Sequence, residues 1–109
     1  MARSRRTYAV VWRDPSGVSQ PGRLVVGAKA LRFEGGRGRL SARTLAYTDV
    51  SRARVAALAE RVGGRPTLVL ERRAGRPPVR IAGVGGPGVL SELLDRLTPL
   101  VAAADPTPG

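Results

Sequence analysis

The sequence predicts an α+β domain: a small, strongly bent antiparallel barrel of about seven strands, capped by one C-terminal amphipathic helix. Three observations carry this. Short β-branched and aromatic runs recur at hairpin spacing through most of the chain. From Leu90 onward the apolar period changes, with Leu90, Leu93, Leu94, Leu97, Leu100 and Val101 forming one stripe on a helix. Leu, Val, Ile and Phe together make up about a quarter of the chain, above the roughly one-fifth level below which charged chains stay disordered. A strongly bent sheet leaves one end of its core open, and the leucine stripe is what would cover it.

The elements follow in order. Residues 1–6 read as a basic arm. Residues 7–13 (Thr-Tyr-Ala-Val-Val-Trp-Arg) form the first strand, and Asp14-Pro15-Ser16-Gly17 turns the chain into a loop that runs to Pro21-Gly22. A second strand occupies 23–26. In the third, 30–34, apolar and charged residues alternate as in a sheet with one wet face. Gly35-Gly36-Arg37-Gly38-Arg39 is a hairpin tip, and 43–47 is the fourth strand. Residues 50–57 read as a strand, with a short helix over 55–60 as the competing reading. Gly63-Gly64 ends that segment, and 66–72 and 78–82 are the last two strands. Within the helix, Pro99 is expected to kink or shorten the far end, while Glu92 and Asp95 favour the early turns. Residues 7–104 therefore make a single domain, followed by a Pro-rich tail over 105–109, with no internal repeat.

Charge and composition bound the chemistry. Nineteen Lys+Arg face eight Asp+Glu, for a formal charge of +11, and all but Lys29 of the cations are arginine. Such a field attracts nucleic acid, anionic lipid or an acidic protein. There is no His and no Cys. That removes imidazole bases, Ser-His and Cys-His nucleophiles, disulfides, and soft zinc, haem or iron–sulfur ligation. Ser19 and Ser91 have no base, and Glu92 and Asp95 lie off the leucine stripe on a solvated face. Asp49 reads as a turn residue bonding its own backbone. No enzyme, cofactor or metal site is expected. The apolar run after the basic arm is too short for a signal peptide and no stretch suits a membrane span, so the expectation is a cytoplasmic protein, at most peripheral to a membrane.

The progression Gly22-Arg23-Leu24-Val25-Val26, Ala30-Leu31-Arg32-Phe33-Glu34-Gly35 and Leu45-Ala46-Tyr47-Thr48-Asp49-Val50 resembles the pleckstrin-homology-like superfamily, particularly its GRAM and bacterial branches. The resemblance spans roughly residues 8–101. It implies a seven-stranded bent barrel capped by one helix, normally a non-enzymatic module for lipid headgroups, peptides or proteins. The lipid-binding cations of that superfamily match Arg13 and Arg23 here, whereas the third falls on Val25 and the Trp of its C-terminal helix has no counterpart.

Two other patterns bear on function. Gly83-Val84-Gly85-Gly86-Pro87-Gly88 has the spacing of a dinucleotide loop. No second strand ending in an acid follows it, so a strand-to-helix turn is expected. Arginines cluster on two hairpins, the first holding Arg37 and Arg39 and the second Arg72, Arg73 and Arg76. Guanidinium suits phosphate and carboxylate because its fork donates two hydrogen bonds at once. With Arg13 and Arg23 these form the candidate anion- or partner-binding set. The expected function is a non-catalytic module engaging a partner protein or an anionic lipid or phosphate surface. The alternative is a basic nucleic-acid-binding barrel without sequence-specific readout. A second copy of the chain, joined through a sheet edge, is a further expected partner.

Overall fold

A computed structural model describes residues 6–13, 17, 19–35, 43–84 and 88–104; the side chain of Arg6 is not among the described atoms. Seven strands form one sheet: β1 (Arg6–Arg13), β2 (Ser19–Val26), β3 (Ala30–Gly35), β4 (Arg43–Ala46), β5 (Val50–Val55), β6 (Thr67–Arg72) and β7 (Val79–Gly83). Their order is β4-β3-β2-β1-β7-β6-β5, every pairing antiparallel. Two meanders thus meet at β1, whose Val10–Arg13 half pairs with β7 as well as β2. The sheet curls into a half-barrel, and α1 (Gly88–Ala103) caps it.

Strand parity builds the core. Tyr8, Val10 and Trp12 point inward from β1, joined by Leu24, Leu31, Phe33, Leu45, Leu68, Leu70, Val79 and Ile81 from the other strands. Against them α1 sets Leu90, Leu93, Leu97 and Val101, the spacing of one helix face. Leu94 and Leu100 are half-buried at the margin of that face.

Local differences from the sequence reading have physical causes. β2 starts at Ser19 rather than at 23, taking in Pro21 and Gly22. Pairing with β3 begins only at Gly22–Gly35, so Pro21 occupies an edge position on that side, where a missing N–H costs no described ladder bond. β4 ends at Ala46, because Tyr47–Asp49 forms a one-turn helix. There the Tyr47 N–H donates to the Lys29 carbonyl at 3.1 Å, and its hydroxyl donates to the Gly27 carbonyl at 2.8 Å. Residues 50–55 are a strand, and the competing helix survives only as one turn over Leu58–Glu60. α1 runs through Pro99 to Ala103, so Pro99 does not shorten it; the missing N–H falls toward Asp95, on the exposed face. The first turn of α1 carries no acid. Glu92 instead accepts the Tyr8 hydroxyl at 3.1 Å and faces Arg96 at 3.7 Å.

β6 is buried on both faces. Thr67 and Val69 have outward parity yet are fully buried, as is Ala82 of β7. Residues 56–66 fold back over them. Ala56 N–H donates to the Thr67 carbonyl, Val62 N–H to the Thr67 hydroxyl at 3.1 Å, and that hydroxyl to the Arg65 carbonyl at 2.8 Å. Thr67 is the buried polar side chain of this layer, and both roles of its hydroxyl are used.

Candidate functional site

The candidate cations separate into groups. Arg37 and Arg39 lie outside the described residues. Arg13 ends β1, where its Nε donates to the Ser19 hydroxyl at 2.9 Å and Arg80 sits opposite in β7. Arg23 pairs with Ala9, four residues earlier along β1, which separates the two cations by about 13 Å of strand. Arg23 and Arg32 both donate to Glu34, at 2.9 and 2.8 Å. The Arg23 hydrogen bond, then that of Arg32, holds the Glu34 carboxyl below the usual carboxylate range. Arg23 is therefore engaged within the sheet.

Arg72, Arg73 and Arg76 do come together, around the turn at Tyr47–Asp49. Arg72 donates to Asp49 Oδ2 at 2.8 Å and Arg76 to Asp49 Oδ1 at 3.0 Å. Arg73 donates to the Thr48 carbonyl at 3.0 Å. This turn links the two meanders, so the three arginines brace the corner between β4 and β5. Asp49 receives two guanidinium groups there.

A further cation centre was hidden from sequence reasoning. Arg54 gives its fork to Glu60, with both bonds 2.7 Å long, and its Nε to Glu71. The Arg54 bonds, helped by the Ala57 N–H, push the Glu60 carboxyl down to about 2. Glu60 raises the Arg54 pKa first, and Glu71 next. No spacing rule joins residues 54, 60 and 71. Only the β5–β6 register and the folded-back segment bring them together.

Two grooves flank the C-terminal half of α1. One, about 490 Å³, is mostly apolar, with Ala46, Tyr47 and Leu100 on its walls and Lys29 among its lining residues. The other, about 370 Å³, lies between α1 and β5 and is lined by Ser51, Arg52 and Arg73 on one side and Thr98 and Val101 on the other. β5 is an edge strand. Its hydrogen-bond phase follows from the Ala56 N–H bond to Thr67, which continues the Val55–Leu68 register. Opposed residues alternate between bonded and non-bonded pairs, so Arg54 faces β6 with its backbone while Ala53 and Val55 aim their N–H and C=O groups outward. The result is a cationic groove beside an open strand edge. Neither hairpin clustering nor charge runs marked Arg52, whose importance comes from its place on β5.

Among the described residues no group of three or more carboxylates gathers to hold a metal ion, and no helix is long and apolar enough to cross a membrane. Gly83 ends β7 under Leu90, and 85–87 of the glycine-rich run lie outside the described residues. β7 pairs antiparallel on both sides, unlike the parallel strands of a dinucleotide fold. No family model matches the chain, and no curated protein matches it.

Proposed function

We propose that the chain is a non-catalytic binding module of the pleckstrin-homology-like kind that holds an acidic, extended segment of a partner protein in the groove between β5 and α1. Two meanders joined at β1 and closed by a C-terminal helix support the superfamily reading. The groove carries the functional one. It combines Arg52 and Arg73 with an edge strand whose outward N–H and C=O groups suit the addition of one more strand. Arg23, Arg72 and Arg76 already serve carboxylates within the chain, which moves the anion-binding role from those three toward Arg52 and the groove.

The test is fluorescence anisotropy with a short labelled peptide of alternating Glu and Val, against the same peptide with Lys for Glu. The acidic peptide should bind and the basic one should not. Arg52→Glu and Arg73→Glu should each weaken binding about fivefold or more, while Arg65→Glu, outside the groove, should change it little. Equal losses from all three reversals would mean diffuse charge attraction and no groove site. Duplex DNA bound in preference to the peptide, with a steep loss as salt rises, would favour the nucleic-acid alternative.

A further inference from the structure

We infer that the larger of the two grooves is a separate small-molecule site that takes a compact aromatic carboxylate. It shares no lining residue with the peptide groove. Its walls come from the turn joining β2 to β3, from the end of β4 with the turn that follows, and from the C-terminal end of α1. Backbone bonds form these walls in advance. The Gly27 N–H donates to the Ala30 carbonyl at 3.0 Å, and Tyr47 ties down the same turn through its N–H to the Lys29 carbonyl and its hydroxyl to the Gly27 carbonyl. On the helix side the Ala104 N–H is shared between the Leu100 and Val101 carbonyls, at 3.2 Å each. Exposed Ala28, Ala46 and Ala103 supply much of the apolar surface, and alanine has no rotamers to lose when a ligand lands.

Size, edge geometry and charge choose the occupant. The groove holds about 490 Å³. At about 30 Å³ of liquid per water that is roughly sixteen waters, room for a two-ring body and a small polar head. β4 touches the groove only through Ala46, its last residue, so no further strand can be added along this wall. Lys29, the chain's one lysine, is exposed and is the charged residue of the lining. No carboxylate lines the groove, and the neighbouring Asp49 is taken by Arg72 and Arg76. The last carbonyls of α1 carry about half a negative charge, less than the full charge of the ammonium, and the formal charge of +11 adds to the ammonium's side. A single anionic head is therefore favoured.

The same charges orient the ligand. Its carboxylate belongs at the Lys29 wall, away from the negative end of α1, and its rings lie between Ala46, Tyr47 and Leu100. An open groove and an exposed ammonium make the complex weak, on the order of millimolar for a ligand of this size. Selectivity for the anion over a neutral isostere is about threefold to fivefold, the worth of one exposed ion pair. Because the two grooves are distinct, each assignment stands or falls by its own readout.

The probes are 2-naphthoate and its neutral isostere 2-naphthamide, each titrated into the whole protein and followed by amide nitrogen–proton spectra. Naphthoate should shift the amides of Lys29, Tyr47, Leu100 and Ala103, and naphthamide should bind about threefold to fivefold more weakly. Lys29→Met should weaken naphthoate by the same factor and leave naphthamide unchanged, while Arg65→Glu, outside both grooves, should move neither by more than about twofold. Ala46→Phe and Ala103→Phe fill the groove from opposite walls, so each should weaken naphthoate about tenfold or more while the acidic peptide still binds. Equal affinity for the two probes, or a naphthoate response that survives both phenylalanine variants, would overturn the site. So would naphthoate displacing the acidic peptide, which would place the carboxylate at Arg52 and Arg73 instead.

Discussion

Gly22 sits opposite Gly35 in the β2–β3 ladder, and a Cβ built on it would lie 2.5 Å from the Glu34 carbonyl oxygen and 2.7 Å from Phe33 Cζ. The pair of glycines leaves room for the Phe33 ring, which stacks on Trp12 with centroids 5.3 Å apart. Gly22→Ala should therefore destabilise the fold by at least ~2 kcal/mol, through strain on a rigid backbone neighbour. At Gly88, the first residue of α1, a Cβ meets nothing within 4 Å, so Gly88→Ala should stabilise by about 0.5 kcal/mol. Urea unfolding of the two variants checks both signs. Glu60 gives a pH prediction at the same scale. Its folded pKa, about 2, lies below the ordinary 4.5, so the contribution is fully present above pH 4.5 and is lost as pH falls toward 2. A thermal midpoint measured down that range should drop, and Arg54→Met should flatten the part of the slope that comes from Glu60. Alternation in the sequence revealed which side chains face inward, Phe33 among them. Nothing local marked Gly22 as different from Gly88, because the difference lies in what crosses each site from another strand.

At the scale of elements, the strands and α1 were legible because burial imposes a period, of two along Ala30–Gly35 and of three to four along Gly88–Ala103. Connections lack such a period. The turn at Tyr47–Asp49 depends on Tyr47 reaching Gly27 and on Asp49 receiving Arg72 and Arg76, partners 20 to 27 residues away. The candidate site shared that fate. The arginines of the second hairpin were visible as a cluster, whereas their carboxylate was hidden because the β5–β6 register alone brings it to them. The corner gives its own prediction. Asp49→Asn keeps the shape but removes the charge from two hydrogen-bonded ion pairs in a half-buried place, and should cost about 2 kcal/mol. Arg72→Met in the Asp49→Asn background should cost less than in the parent. Equal costs in a double-mutant cycle, measured by denaturant unfolding, would show that the two side chains act independently.

For the whole molecule, a formal charge of +11 has two consequences that oppose each other in salt. Ion pairs such as Arg23–Glu34 and Arg96–Glu92 weaken when screened, while repulsion among the excess cations is relieved. Exposed pairs contribute little each, and cations outnumber acids by more than two to one, so relief of repulsion should win. Moderate salt should raise the thermal midpoint of the free protein while lowering its affinity for acidic peptides. pH cannot exert the same control near neutrality. With no His and no Cys, no side chain of ordinary pKa titrates between about pH 6 and pH 9. The carboxylates with resolved shifts, Glu34 and Glu60, move further below that window, and burial pushes the Tyr47 phenol up to about 12, further above it. Because the phenol holds its proton longer folded than unfolded, stability should fall as pH rises from about 10 to 12. Between pH 6 and 9 the thermal midpoint and the affinity for the acidic peptide should be flat at constant ionic strength. Apart from the α-amino group, whose ordinary pKa is about 8, a transition there would require a side chain whose pKa is displaced by several units into the window, and thermal melts at half-unit pH steps would reveal it.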